Sequence, residues 1–145
     1  MVQPKILFPL LAWLPLAGCG LLQSWRHVET ELSTRIFDTG VIAEDLVLGG
    51  GAPAALGDTV TLHYVATFED GTPFDSSRNR DKPLTFILGE APLAGWNEGI
   101  IGMRIGGRRI LTLPPERAYG SAGIPGLVPG NATLVFEVEL LAPEG

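Results

Sequence analysis

Tyr64-Val-Ala-Thr-Phe68-Glu-Asp-Gly-Thr-Pro-Phe74-Asp75-Ser-Ser-Arg-Asn-Arg80-Asp-Lys-Pro-Leu-Thr-Phe86-Ile-Leu-Gly-Glu-Ala-Pro-Leu-Ala-Gly-Trp96 carries a strand, a turn, an irregular edge and the start of a helix in one segment. Aromatic rings recur in it beside one carboxylate, Asp75, which reads as the near wall of an apolar pocket. Upstream, Thr59 to Phe68 sets Val60, Leu62, Tyr64 and Ala66 against Thr61, His63, Val65 and Thr67. Period two predicts a half-buried strand with Tyr64 on the apolar face and His63 as an exposed strand histidine. Asp70-Gly71 is a hairpin signal. Phe74 and Asp75 then open an irregular edge segment, where Ser76, Ser77, Arg78, Asn79 and Arg80 can bond back to backbone. Thr85 to Gly89 is a short strand. Pro92, Leu93, Trp96, Ile100 and Ile101 have helical spacing, with the proline near the start, where its missing N–H is harmless. Gly95 and Gly99 keep that helix short and close to the sheet.

Working outward, Arg117 to Pro129 has the Gly and Pro content of a long ordered loop, and it forms the far wall. Gly40 to Leu48 reads as the first strand, followed by a turn-rich Gly49 to Ala55. Gly106-Gly107 makes a hairpin turn before Arg108 to Leu113, so Arg104, Arg108 and Arg109 read as a solvated hairpin tip. In Thr133 to Leu141, Leu134, Phe136, Val138 and Leu140 point inward against Glu137 and Glu139. Short alternating strands and one central helix predict an α+β fold, a curved antiparallel sheet wrapped around one short α-helix.

The chain has 145 residues, 46% hydrophobic and 18% charged, with 19 Gly and 12 Pro, consistent with one turn-rich and strand-rich domain. Its formal charge of -6 is spread along the chain. No Lys and Arg cluster interleaves with aromatics, so nucleic acid is not an expected partner. Cys19 is the one cysteine, which excludes an intramolecular disulfide and a thiolate metal site. No cofactor or metal is expected, because neither metal-ligand spacing nor a phosphate loop is present.

Lys5 precedes the apolar run Ile6 to Pro15, which closes on Leu16-Ala17-Gly18-Cys19. That is the pattern of a secretory signal, too short for a comfortable membrane span. Its ending resembles a bacterial lipobox, which implies cleavage before Cys19 and lipid on its sulfur and new amino terminus. Gly20 after the cysteine favours the outer over the inner membrane. Leu21, Leu22, Trp25, Val28, Leu32 and Ile36 fall three and four apart, so Gly20 to Phe37 reads as an amphipathic helix or a tether. The expected organisation is residues 1–18 signal peptide, 19–39 lipidated terminus and tether, and 40–145 folded domain.

Phe74-Asp75-Ser76-Ser77, Gly95-Trp96 with Glu98-Gly99, Ala118-Tyr119-Gly120 and Ala132-Thr133-Leu134-Val135-Phe136 occur in one order and spacing. Together they resemble the FKBP-type peptidyl-prolyl cis/trans isomerases from about Gly40 to Leu141. The resemblance implies that Tyr64, Phe74, Phe86, Trp96 and Phe136 surround a proline ring. Leu127 and Val128 then close one side, and Ile124 stands where eukaryotic relatives often have His. Tyr119 would donate its hydroxyl to a substrate carbonyl, and the Leu93 N–H would donate to the carbonyl beyond the proline. Asp75 would orient Tyr64 and Arg80. The stretch from Leu88-Gly89 to Gly95-Trp96 is one residue shorter than the family's usual pattern, which bears on the Leu93 donor. Implied partners are proline-containing unfolded or partly folded polypeptides and rapamycin-type macrolides. The chain lacks the long helical extension some relatives use to dimerise, so a monomer is expected. The expected role is to assist folding in the bacterial envelope, facing the periplasm; the alternative is a non-catalytic proline-peptide binding module or chaperone using the same pocket.

Overall fold

The computed structural model describes residues 32–143. In them the alternating segments form strands β1 (Thr34–Ile36), β2 (Ile42–Val47), β3 (Thr59–Phe68), β4 (Pro73–Ser76), β5 (Leu84–Ile87), β6 (Arg108–Leu113) and β7 (Leu134–Leu141). One helix, α1 (Ala94–Gly99), lies between β5 and β6, and a 3-10 turn follows β6 at Pro115–Arg117. All strand pairs are antiparallel, in the order β1-β2-β6-β7-β3-β4. β5 shares an edge of β3 with β4: β5 pairs from Thr59 to Leu62, and β4 from Val65 onward. The predicted α+β sheet with one short helix is therefore the observed fold.

One face of β3, β6 and β7 supplies Val60, Leu62, Ala66, Leu111, Leu113, Leu134, Phe136, Val138 and Leu140 to a single core. Trp96 and Ile100 bring α1 onto the same core. At about 25 cal/mol for each Å² of apolar surface removed from water, this burial is the main favourable term. The helix can approach because two of its positions lack a side chain. A Cβ on Gly95 would sit 2.5 Å from Leu113 Cδ2, and one on Gly99 would sit 2.8 Å from Leu111 Cδ2. The Asp70-Gly71 hairpin forms as expected, with the Gly71 N–H donating to the Phe68 carbonyl at 2.9 Å.

Two expectations are corrected. Arg109 is no part of a solvated tip: it is 3% exposed, and its Nε donates to Asp45 Oδ1 at 2.7 Å. Its Nη1 donates to the carbonyls of Gly99 and Ile101, at 2.7 and 3.0 Å, and so ties the end of α1 to β2 and β6. Burial pushes the Arg109 pKa down while Asp45 pushes it back up. Gly106-Gly107 accordingly joins no hairpin, since β6 pairs with β2 and β7. The second correction lies at Thr34–Ile36, which is a strand paired with β2 where helical spacing suggested a helix or tether. The rest of that apolar stripe, from Leu21 to Val28, lies outside the described residues.

Replacing Gly95 by Ala is expected to lower the unfolding free energy by about 1–3 kcal/mol, because overpacking against Leu113 exceeds the ~1 kcal/mol that helix propensity returns. Urea titration measures this, and an unchanged midpoint would show that Leu113 moves aside freely.

Candidate functional site

Trp96 is 2% exposed and is the ring the others meet. Phe86, from β5, stacks on it with centroids 5.9 Å apart and planes 30° apart. Phe136, from β7, meets it edge-on at 5.2 Å, and Tyr64, from β3, at 5.3 Å. Tyr64 and Phe136 also meet each other, at 6.2 Å. Each such pair is worth about 0.5–1.5 kcal/mol beyond its area, so the cluster is stiff. Phe86 and Tyr64 stay half-buried while Trp96 and Phe136 belong to the core, so the cluster is an apolar floor sunk in the core on one side and partly exposed on the other. The indole N–H is buried with no hydrogen-bond partner among the described residues.

Polar groups stand where this floor meets water. Tyr64 donates its hydroxyl to Asp75 Oδ2 at 2.8 Å and accepts from Arg80 Nη2 at 3.0 Å. Arg80 also donates to Asp75 Oδ1, which accepts the Ser76 N–H at 2.8 Å as well. Burial works against the Asp75 charge, yet the Arg80 and Tyr64 bonds outweigh it and hold the carboxyl below its ordinary pKa. Burial, then the bond to Asp75, raises the Tyr64 pKa. Burial, then the Asp75 charge, raises that of Tyr119, so both phenols stay protonated at neutral pH. Tyr119 thus lies within the field of this carboxylate. It is 37% exposed, and its hydroxyl has no partner among the described residues.

The loop read as the far wall closes as a turn. Ile124 and Val128 exchange both backbone hydrogen bonds, each at 2.8 Å. Pro125-Gly126 sits at its tip with Gly126 at φ +79°, the sequence that a type II turn requires. Gly123, at φ +62°, admits no Cβ, because the Val128 carbonyl oxygen lies 2.2 Å from where it would be. Val128 enters the core, Ile124 packs against it, and Leu127 projects to solvent. Leu93 is buried at the residue before α1, and its N–H has no hydrogen-bond partner among the described residues.

The structure thus brings Tyr64, Phe86, Trp96 and Phe136 into direct ring contact and joins Tyr64, Asp75 and Arg80. It does not place Phe74 in that cluster: this ring stacks on Phe68 at 4.5 Å, a partner the sequence reading missed. Phe68 and Phe74 flank the Asp70-Gly71 hairpin, which was the available signal. Ser77 bonds back to backbone as expected, and its partner is Tyr64 of β3. The serine is fully buried, and its Oγ accepts the Tyr64 N–H at 2.7 Å. His63, expected to be exposed, is half-buried, with Nδ1 2.9 Å from the same oxygen.

Comparison with known proteins agrees with this architecture. Residues 50–141 match the family model described as FKBP-type peptidyl-prolyl cis-trans isomerase. The chain is 50% identical over 103 residues to an FK506-binding protein of Neisseria meningitidis serogroup B, covering 70% of this chain and 94% of that protein. It is 48% identical over 107 residues to the peptidyl-prolyl cis-trans isomerase FKBP1A of Xenopus laevis, covering 72% of this chain and 99% of that one. Among solved structures, the crystal structure of AtFKBP13 superposes with a TM-score of 0.70 at 36% identity, covering 77% of this chain and 99% of its own.

The rim carboxylate gives a pH prediction. Its pKa is lowered on folding, so its contribution to stability is fully present above the unfolded-state value and is lost as pH falls through the folded-state value. Carbon-13 titration of Asp75 is expected to give a midpoint below that of an ordinary aspartate, moved upward in Arg80→Met. An unmoved midpoint in that variant would refute the guanidinium as the cause.

Proposed function

The chain belongs to the FKBP-type peptidyl-prolyl cis-trans isomerases, and from that membership we propose that it speeds rotation about Xaa-Pro bonds in polypeptides of a bacterial cell envelope. The observation that carries the site assignment is the four-ring floor around Trp96, bordered by the Tyr64–Asp75–Arg80 bonds.

Rotation about a peptide bond faces a barrier of about 18–20 kcal/mol because planarity preserves resonance. X-Pro bonds therefore turn over tens to hundreds of seconds. In the twisted transition state the carbonyl is less polarised than in the planar amide. A dry aromatic pocket thus disfavours the planar ground state more than the twisted one, which is differential binding of the transition state. No bond is made or broken, so no nucleophile or general base is needed. In this reading Tyr64, Phe86, Trp96 and Phe136 receive the proline ring, with Ile124, Leu127 and Val128 at the far wall. The hydroxyl of Tyr119 and the N–H of Leu93, both without a partner among the described residues, hold the flanking carbonyls. Asp75 fixes the Tyr64 hydroxyl and shapes the field at the carbonyl that swings. The relatives named FK506-binding proteins support macrolide binding in the same pocket.

The amino-terminal reading supports a lipoprotein: residues 1–18 removed, Cys19 acylated, residues 19–39 leading to the isomerase domain over 40–145, with β1 inside that lead. Two or more acyl chains give stable anchoring where one does not. The protein then faces the periplasm as a monomer, on the outer membrane by the residue after Cys19.

Two measurements test this. Proline-peptide exchange by NMR with the full mature chain is expected to show acceleration. In that assay Tyr119→Phe keeps the fold and weakens substrate or rapamycin binding several-fold, as losing one hydrogen bond of about 0.5–1.5 kcal/mol implies. Trp96→Ala loses about 3–5 kcal/mol of stability along with rate. No acceleration by the folded chain would leave a proline-peptide binding module. Mass spectrometry of the protein from bacterial membranes is expected to show acylated Cys19 as the first residue; an unmodified soluble form would remove the anchor.

A further inference from the structure

We propose that Ser77 is a positioning residue for the isomerisation, the link through which His63, on the outer face of the sheet, acts on Tyr64 in the pocket. The proposal rests on the site assignment above. Its basis is a gap in the sheet. On the edge of β3 away from β7, pairing with β5 ends at Leu62 and pairing with β4 begins at Val65. His63 and Tyr64 fall between the two strands, and Ser77 fills the gap. Its N–H donates to the Tyr64 carbonyl at 3.0 Å, and its Oγ accepts the Tyr64 N–H at 2.7 Å. The Lys82 N–H donates to the Ser77 carbonyl at 3.0 Å, closing the join from the other side. One buried residue therefore holds both main-chain groups of the tyrosine whose hydroxyl Asp75 accepts.

The hydroxyl has one proton to give, and two acceptors are in reach: His63 Nδ1 at 2.9 Å and the Tyr64 carbonyl at 3.3 Å. With His63 neutral and its proton on Nε2, the hydroxyl donates to Nδ1. A protonated imidazole must donate from Nδ1, so the hydroxyl proton turns to the Tyr64 carbonyl. The charge of His63 thus changes how Tyr64 is held, without either residue moving far. Outside the sheet, His63 lies opposite Glu139 of β7, which is ion-paired to Arg78 and stands opposite Arg108 of β6, itself paired with Glu137. Asp75 and Arg80 lie on the inner side, and Lys82 follows Ser77 along the chain.

NMR of the isotope-labelled full chain reads the link directly. The Tyr64 ring and Asp75 carboxyl resonances are expected to shift on His63→Gln. In the Ser77→Ala background the same substitution leaves them in place. Turnover reads the consequence: kcat/KM falls about three- to tenfold in Ser77→Ala, from one lost hydrogen bond. Adding His63→Gln to Ser77→Ala costs little more, as residues acting through one contact are non-additive. Should Ser77→Ala fail to fold, Ser77→Cys, with a weak donor of similar shape, gives the same comparison. Resonances that ignore His63 in the wild type, or additive losses in the double variant, overturn the proposal. A Tyr64→Phe variant with unchanged turnover would instead overturn the pocket assignment, and the proposal with it.

Discussion

β3 is a ten-residue strand whose one edge pairs with β7 from Thr61 to Phe68, and the rings and the carboxylate of the candidate site are set by what pairs with the other. Its other edge is divided between β5 and β4. Division of that edge is what opens the fold: Phe86 arrives from one short partner, Asp75 from the other, and Tyr64 lies between them with its ring toward the helix. A single long partner strand would have closed the same edge with a continuous ladder and left no rim. The alternation along β3 then needs only a helix near enough to bring Trp96 against Tyr64. Gly95 and Gly99 permit that approach, and Arg109 secures it by bonding the carbonyls at the end of α1.

Polar chemistry in such a pocket is limited by desolvation, and the placement of charge reflects it. The buried Arg109–Asp45 pair lies away from the rings, with its remaining donors used on backbone carbonyls, as a pair inside the core requires. The Asp75–Arg80 pair sits at the rim with both side chains substantially exposed, where its Coulomb energy is screened and its value is geometric. It holds a phenol in one orientation while the floor below it stays free of charge. The first pair braces the helix under the floor, and the second fixes the wall above it.

Much of this was legible in the sequence because strand periodicity is local. β3, β7, the Asp70-Gly71 turn and the short helix follow from residue order alone. Arg109 was equally legible: it shares the parity of the inward Leu111 and Leu113, but the adjacent glycines drew the reading toward an exposed tip. β1 was not legible, since Leu32 and Ile36 fit a helix spacing, and it is hydrogen bonds to β2 that make Thr34–Ile36 a strand. The bonds among Tyr64, Asp75 and Arg80 entered only through family resemblance, because no local pattern joins residues eleven and five apart across an irregular edge. Phe74 shows the opposite limit. The resemblance placed it with the pocket rings, while in this structure its ring meets Phe68.

Trp96 carries the two demands that such a site makes on one residue. An enzyme acting by environment alone needs a surface that does not yield when an amide is pressed against it, and side chains are rigid only where they are packed. The floor must therefore be part of the core, and at 2% exposure it is. In the proposed site stability and catalysis then cannot be separated at that position, whereas Tyr119, exposed and without an internal partner among the described residues, can be changed with little effect on packing. Groups that must be stiff lie inward on β3, β7 and α1, and in the proposed site the groups offered to a substrate's carbonyls lie outside those elements. That proposed division suits a reaction whose difficulty is lost resonance: rigidity is needed beneath the proline ring, and adaptable donors are needed on either side of it.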